Sequence, residues 1–394
     1  MAPSDQSSWL VAVPLNGDTE HLGHDIGPKL EALARGYASE GLAQIDIPEF
    51  KTGTLDLLIS LSEDLPKIDG FFTTATGKIV DTLRNLLNND PTKLAQHVLV
   101  NDRTIDAYLL SNWKWNSSRY SPQKSARETV DTLNKEMTSI DNVMKTKLNN
   151  YNLAKGSLVQ MQRKRTGNLS VKALADIVKR EDFLADSEYM ETVLVAVPKN
   201  SVKDWNAGYE RLAAMVVPRS TKQLAADDEY VLFSAVIFKR VHDDFAQKCR
   251  ESKFTLRDFV FSDEAVAQQR AELEKADGAE KELWTELLRL ARTNFSEAFQ
   301  LLVHLKVVSA FVESVLRYGL PARYTALVIK PAAKTAPKTL GLLTEQFAYL
   351  KPASQRKQEK PGQTDSGEIA GEYQALMEQE FYDFVLVEVP WIIL

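Results

Sequence analysis

From Ala126 to Met161 the residues Ala126, Val130, Leu133, Met137, Ile140, Met144, Leu148, Tyr151, Ala154, Leu158 and Met161 recur in ten steps over 35 positions, a mean spacing of 3.5. That is the seam of a coiled-coil helix, narrower than the stripe of a helix lying on a sheet. A Ser-Pro pair at Ser121-Pro122 opens the stretch, and no further Pro interrupts it. A helix of about 45 residues is roughly 65 Å long, well beyond the diameter of either globular end. Its expected partner starts near Ser262 and runs to Tyr318, with Leu273, Ala276, Leu283, Leu287 and Leu290 on one stripe. After Asn294 the apolar face widens through Phe295, Phe299, Leu302, Leu305, Val308, Phe311, Val312 and Val315, so this end is expected inside a globular domain. Asp277-Gly278 is where a kink or interruption is expected.

Two copies of LVAVP, Leu10–Pro14 and Leu194–Pro198, organise the remainder. Each reads as a buried strand that a proline stops and a helix follows. In the first region strands are expected at Trp9–Val13 and Ala43–Ile47, helical stretches at Leu55–Ile68 and Thr73–Leu87, and a further helix with Asp102 as its N-cap. Between the long helices come a helix around Val171–Val178, the second LVAVP strand, a helix near Lys203–Ala214, the strand EYVLFSAVIF and a helix at Lys239–Lys253. After Pro321 the chain returns to the first region with RYTALVIKP as a strand, KTLGLLTEQFAYL as a helix and YDFVLVEVPWIIL as a terminal strand. The segment Lys351–Gly371, rich in Lys, Gln, Gly and Ser, is expected to be a mobile surface loop. With no longer match around it, the repeated pentapeptide is read as convergence on a strand followed by a stop, not as duplication. The expected fold class is α+β: an elongated dumbbell of two α/β globular ends joined by a long antiparallel coiled-coil neck. Residues 1–120 and 319–394 form one end, the foot, and residues 166–261 the other, the head. Residues 121–165 and 262–318 form the neck, the second helix running into the foot.

Composition excludes several classes. The 394 residues are 44% hydrophobic and 26% charged, enough for sizeable cores in two or three domains. A net charge of -6 gives no global attraction for nucleic acid or anionic lipid. The sequence reads as free of any 18-residue apolar run, and MAPSDQSSW lacks the regions of a signal peptide, so a cytosolic protein without membrane insertion is expected. Cys249 is the single cysteine, which precludes an internal disulfide and a thiolate metal cage. The N-x-S triplets at Asn116, Asn168 and Asn294 are then chance matches.

Signals of catalysis are weak. TTATGKIV at Thr73–Val80 has Gly70 and Gly77 at the wrong spacing for a phosphate loop, and Ile79 sits where a hydroxyl belongs. His21 and His24 have ligand-like spacing but no third ligand nearby. His304 lies on an apolar helix face and reads as a satisfied core residue, and Cys249 with His242 upstream has no nucleophile motif around it. Trp113 and Trp115 are read as core residues where foot meets neck.

The segments IPEFKTGTLDLLISLSEDLPKID, RKRTGNLSVKALADIVKREDF, TVLVAVPK, EYVLF and VESVLRYGLP, spread in order from Ile47 to Pro321, resemble the signature segments of the C subunit of the eukaryotic vacuolar-type proton-pumping ATPase (V-ATPase). The resemblance implies the foot, neck and head already read from periodicity. It implies a non-catalytic stator subunit with no cofactor and no metal, needed for assembly and its reversible regulation. In that family the head binds one peripheral stalk, a heterodimer of the E and G subunits. The foot binds a second such stalk and the cytosolic N-terminal domain of the membrane a-subunit. The implied location is cytoplasmic, on the cytosolic face of vacuolar and other endomembranes. A cytosolic coiled-coil scaffold that tethers actin is the second class, since members of the family have been linked to actin. The basic residues Arg163, Lys164, Arg165, Lys172, Lys179 and Arg180 have two readings: a solvated helix end whose cations suit the C-terminal dipole, or a partner-binding contact for an acidic surface at the neck–head junction. No aromatic interleaving accompanies them, so nucleic acid is not expected.

Overall fold

The computed structural model describes residues 7–15, 22–33, 41–111, 113–174, 177–184, 187–259, 263–331, 335–350 and 382–392. The expected loop Lys351–Gly371 lies outside them. Among the described residues the strands are β1 (Ser7–Pro14), β2 (Leu42–Asp46), β3 (Met190–Pro198), β4 (Lys222–Ala226), β5 (Tyr230–Phe238), β6 (Thr255–Arg257), β7 (Tyr324–Ile329) and β8 (Val385–Pro390). The helices are α1 (Leu22–Leu33), α2 (Leu55–Leu86), α3 (Pro91–His97), α4 (Ile105–Leu110), α5 (Ala126–Thr166), α6 (Val202–Gly208), α7 (His242–Glu251), α8 (Asp263–Tyr318) and α9 (Ala336–Gln346). The chain forms two compact units, Met1–Leu148 with Glu286–Leu394, and Asn149–Thr285.

Each unit holds a four-stranded antiparallel sheet, in the orders β2-β7-β1-β8 and β4-β5-β3-β6. Taken in chain order, both are second-third-first-fourth, the split βαβ arrangement of a βαββαβ fold. In the first unit the long helices and the whole second unit are inserted between the second and third strands. The two LVAVP copies are the central strands β1 and β3, where side chains on both faces must be covered. Their registers agree: Pro14 faces Tyr324 and Pro198 faces Tyr230, while Leu10-Val11-Ala12 and Leu194-Val195-Ala196 each face three residues of the last strand. The shared sheet order and register show that the two copies fill the same structural place, a central strand of the same sheet order, which convergence on a common fold also allows.

In each sheet the helices cover one face. Trp9, Val11 and Val13 pack with Leu22 and Ile26 of α1 and with Leu343 of α9. Val193, Val195 and Val197 pack with Trp205 and Tyr209, and with Phe245 and Cys249 of α7. The opposite faces differ. In the first unit Phe311 of α8 meets Tyr324 edge-on at 6.2 Å. In the second unit Leu194 and Leu232 are covered by Leu169, Leu174 and Val178.

Several sequence expectations are corrected. The stretches Leu55–Ile68 and Thr73–Leu87 are one helix, α2, with Pro66 inside. Pro66 sits on the exposed side, where the carbonyl it leaves without a donor faces water. The fourth helix is capped by Thr104, whose hydroxyl accepts from the Ala107 N–H at 3.3 Å, and not by Asp102. The first long helix starts at Ala126, not at Ser121-Pro122. Ser125 Oγ accepts from Glu128 N–H at 3.2 Å, and the Glu128 carboxylate accepts from Ser125 N–H at 3.0 Å, a capping box whose S-x-x-E signature was legible in the sequence. None of the described residues of Val171–Val178 is α-helical: they form turns, with 3-10 geometry at Leu174, and Leu174 and Val178 are buried against the sheet. Asp277-Gly278 does not interrupt α8, which runs unbroken through it with Lys281 paired to Asp277 at 2.6 Å. One 18-residue window of α8 is also apolar enough to span a membrane, contrary to the expectation, but 83% of that window is buried inside the fold. It is a core helix.

Among the described residues of the first unit one cation is buried. Lys306 of α8 has a side chain only 7% exposed, and its ammonium lies 2.8 and 2.9 Å from the two carboxylate oxygens of Asp69 on α2. Removing one partner of a buried pair strands the other charge, which costs about 3–5 kcal/mol. Asp69→Ala should therefore lower unfolding stability by about that amount in urea titrations, and Asp69→Ala with Lys306→Met should restore much of it. A loss below about 0.5 kcal/mol, the range of ordinary surface changes, would show that the pair is not holding α2 to α8.

Candidate functional site

The residues whose sequence patterns suggested chemistry occupy structural positions. Thr73–Val80 lies in the interior of α2, where Ala75, Thr76, Ile79 and Val80 are buried and Thr76 donates to the Phe72 carbonyl at 2.8 Å. Its backbone N–H groups are spent on helix bonds, so none can cradle a phosphate. His21 lies outside the described residues and His24 is exposed on α1. Among the described residues no group of three His, Cys, Asp or Glu side chains could hold a metal ion. Cys249 is fully buried in the core around Trp205, and burial pushes its thiol up to about 12. A thiol so seldom ionised is a poor nucleophile. His242 is engaged elsewhere, with Nδ1 2.7 Å from Glu191 Oε1.

His304 of α8 is the centre of an aromatic junction. Its Nδ1 bonds the Gln300 carbonyl at 2.7 Å, and its Nε2 accepts from Asn116 N–H at 3.4 Å. The rings of Trp113, Trp115 and Tyr120 surround it, with centroids at 5.2, 4.7 and 5.2 Å. Trp113 is buried and donates to the Tyr108 hydroxyl at 2.9 Å; half-buried Trp115 donates to the Tyr120 carbonyl at 2.6 Å. Arg119 joins two helices here, reaching Glu136 of α5 at 2.8 Å and Glu297 of α8 at 2.6 Å. The Tyr120 hydroxyl donates to the same Glu136 at 2.6 Å, and burial with this carboxylate raises the phenol strongly. Sequence reasoning missed Arg119, Glu136 and Glu297, because nothing in their local pattern announces that they meet.

The VESVLRYGLP segment fastens the chain's last strand. Arg317 Nη1 donates to the carbonyls of Tyr382 and Phe384, both at 2.7 Å. The Tyr318 hydroxyl accepts from Val385 N–H at 3.1 Å and donates toward the Ala12 carbonyl at 3.3 Å, tying the end of α8 to β8 and β1. Gly319 follows at a φ of 78°, a left-handed turn that favours glycine.

The six basic residues lie in the second unit at the end of α5 and in the segment beyond it. Arg163, Lys179 and Arg180 are exposed and Lys172 is half-buried; the side chains of Lys164 and Arg165 lie outside the described residues. Gly167 ends the helix, its N–H bonded to the Arg163 carbonyl at 2.8 Å, and a Cβ there would come within 2.8 Å of that oxygen. The segment is fixed at both ends. Asp227 accepts from Leu169 N–H at 2.5 Å, Arg257 donates to the carbonyls of Leu169 and Lys172 at 2.6 and 2.7 Å, and Lys222 pairs with Asp182 at 2.8 Å. Neither Asp227 nor Arg257 was legible as a partner of this segment from sequence.

Burial lowers the His304 pKa from 6.5 to about 4. The unfolded chain therefore takes up a proton on acidification before the native state does. The stabilising contribution is fully present above pH 6.5 and is lost as pH falls toward 4, on the order of 3 kcal/mol in all. Thermal melts between pH 7 and pH 4 should show this decline, and His304→Gln should flatten the slope attributable to the site. An unchanged slope in His304→Gln would mean that this imidazole does not titrate on unfolding.

The family model of the V-ATPase C subunit matches residues 8–385 of this chain. The chain is 36% identical over 384 residues to the V-type proton ATPase C subunit of Manduca sexta, covering 97% of each chain. It is 38% identical over 307 residues to the V-type proton ATPase C subunit 1-B of Danio rerio, covering 78% of this chain and 80% of that one. Against the V-type proton ATPase C subunit of Caenorhabditis elegans it is 35% identical over 377 residues, covering 96% and 95%. The match spans both sheets, the long helices and the VESVLRYGLP joint, and on this ground the chain belongs to the family of V-ATPase C subunits.

Proposed function

We propose that the chain is a non-catalytic stator subunit of the vacuolar proton pump, bridging two peripheral stalks of E and G subunits and the N-terminal domain of the membrane a-subunit. The coarser statement needs no proposal: as a member of the C-subunit family the chain is a peripheral component of a V-type proton ATPase and serves proton transport. The observation that supports the finer reading is the family match, which runs from residue 8 to residue 385. The fates of the suggestive motifs support it. The TTATGK stretch is helix interior, the cysteine is core, and the signature segment at Val312–Pro321 is a structural joint. A rotary motor needs a frame that resists torque, and a subunit with two separately cored sheets suits a part that binds at two places. On this reading the two units are head and foot of a dumbbell, α5 and α8 are its neck, and the protein sits on the cytosolic face of endomembranes through the complex.

Co-purification tests this. A tagged chain should bring down the E, G and a subunits from cells, and should restore ATP-driven acidification to membranes lacking their own C subunit. Capture of cytoskeletal actin without pump subunits would favour the tether reading and overturn the stator. Solution scattering should give a radius of gyration clearly above the roughly 21 Å of a compact chain of this length. A compact value would remove the dumbbell.

A further inference from the structure

The described parts of the segment from Gly167 to Leu184, residues 167–174 and 177–184, lie over one face of the second unit's sheet as an irregular strap. It starts beside Arg257 on edge strand β6, passes over Leu194 of β3 and Leu232 of β5, and ends at the Lys222–Asp182 pair on edge strand β4. Its inward residues Leu169, Leu174 and Val178 are 2–4% exposed. Its outward residues are of another kind. Val171 is 62% exposed and Leu184 43% exposed, interspersed with Lys172, Lys179 and Arg180 and flanked by Arg163 at the end of α5. From Arg163 to Leu184 the chain carries six cations against three carboxylates, within a protein whose net charge is -6. One of those carboxylates, Asp182, is already taken by Lys222. Among the described residues none of Arg163, Lys172, Lys179 and Arg180 forms an ion pair, although fifteen ion pairs are formed elsewhere among them.

We infer that the outer face of this strap is a docking surface for an acidic, amphipathic segment of a partner protein. The inference rests on the stator reading, in which this unit receives a peripheral stalk, and adds where and by what chemistry. Charge complementarity selects the partner: unpaired cations on an otherwise acidic chain attract carboxylates and steer their approach. The exposed Val171 and Leu184 supply the apolar contact that a purely electrostatic encounter lacks. An anionic bilayer fits less well. Basic residues near such a surface contribute about 1 kcal/mol each, so four of them would give only millimolar-range attraction, and lipid-binding runs are contiguous clusters of 4–8 cations. Here the backbone is instead pinned by Asp227, Arg257 and the Asp182–Lys222 pair, which fixes the spacing of the cations. Fixed spacing serves recognition of one shape, not adhesion to a fluid one.

The test uses the full chain and the purified E–G heterodimer as probe. Binding is measured by titration calorimetry for the wild type, for Lys172→Glu/Lys179→Glu/Arg180→Glu and for the corresponding triple Gln variant, with thermal melts to confirm folding. The expected result is a loss of about tenfold or more in affinity for the Glu variant, an intermediate loss for the Gln variant, and a weaker salt dependence in both. Equal affinities for all three folded proteins would overturn the strap surface while leaving the stator reading intact. A wild type that does not bind the heterodimer at all would overturn both. Preferential binding to phosphatidylserine-rich vesicles, lost in the Glu variant, would overturn the protein partner in favour of a membrane.

Discussion

Both units depend on the burial of a strand with no polar face. In β1 and β3 the side chains of LVAV point alternately to the two sides of a sheet, and all are almost completely buried. Such a strand cannot be left at an edge or with one face in water, since each exposed Val or Leu forgoes roughly 1.5–3 kcal/mol. Two consequences follow in each unit. The strand must be flanked, which the βαββαβ order achieves by bringing the third and fourth strands to either side of the first. The sheet must also be covered twice. Helices supply the first cover in both units, from the same positions in the topology.

The second cover is where the units part. In the first unit it includes α8, a long apolar helix that brings Lys306 and His304 into the core with it. These two groups have matched partners, Asp69 for the ammonium and the Gln300 carbonyl with the Asn116 N–H for the imidazole. In the second unit the cover is the strap, whose described residues form only short turns and the 3-10 turn Arg180–Asp182, and which side chains hold at its ends: Asp227, Arg257, and Asp182 with Lys222. Burying apolar residues on an irregular segment requires outside partners for its backbone. Those partners also make it a defined surface.

The suggestive chemistry dissolves for related reasons. A Gly-containing run can cradle phosphate only if its N–H groups are free, and in α2 the helix consumes them. A thiolate needs a polar or cationic setting, and Cys249 is walled in by Trp205, Phe245 and Phe254. The segments shared with the family instead act as joints, most clearly Arg317 and Tyr318, which clasp the last strand.

Periodicity and end signals determined much by themselves. The 3.5-residue seam fixed a long helix and the apolar LVAV runs fixed buried strands, because these depend on neighbours within a few residues; the helix start was misplaced at Ser121-Pro122, although the Ser125–Glu128 pair carried the signal. Local signals failed where a distant partner decides. The expected break between Ile68 and Thr73 does not occur, because α2 packs along one face through it with Leu65, Phe72 and Ala75 buried. Val171–Val178 had helical spacing, yet packing on the sheet and capture of its ends by Asp227, Arg257 and Lys222 outweighed a propensity too weak to form a helix in seven or eight residues. That the two LVAVP strands occupy one place in one topology, that Arg119 links Glu136 to Glu297, and that Asp227 and Arg257 hold the strap were decided only by the tertiary structure. Each joins residues tens or hundreds of positions apart, and the energy that brings them together comes from burying surface that no local pattern can assign to its partner.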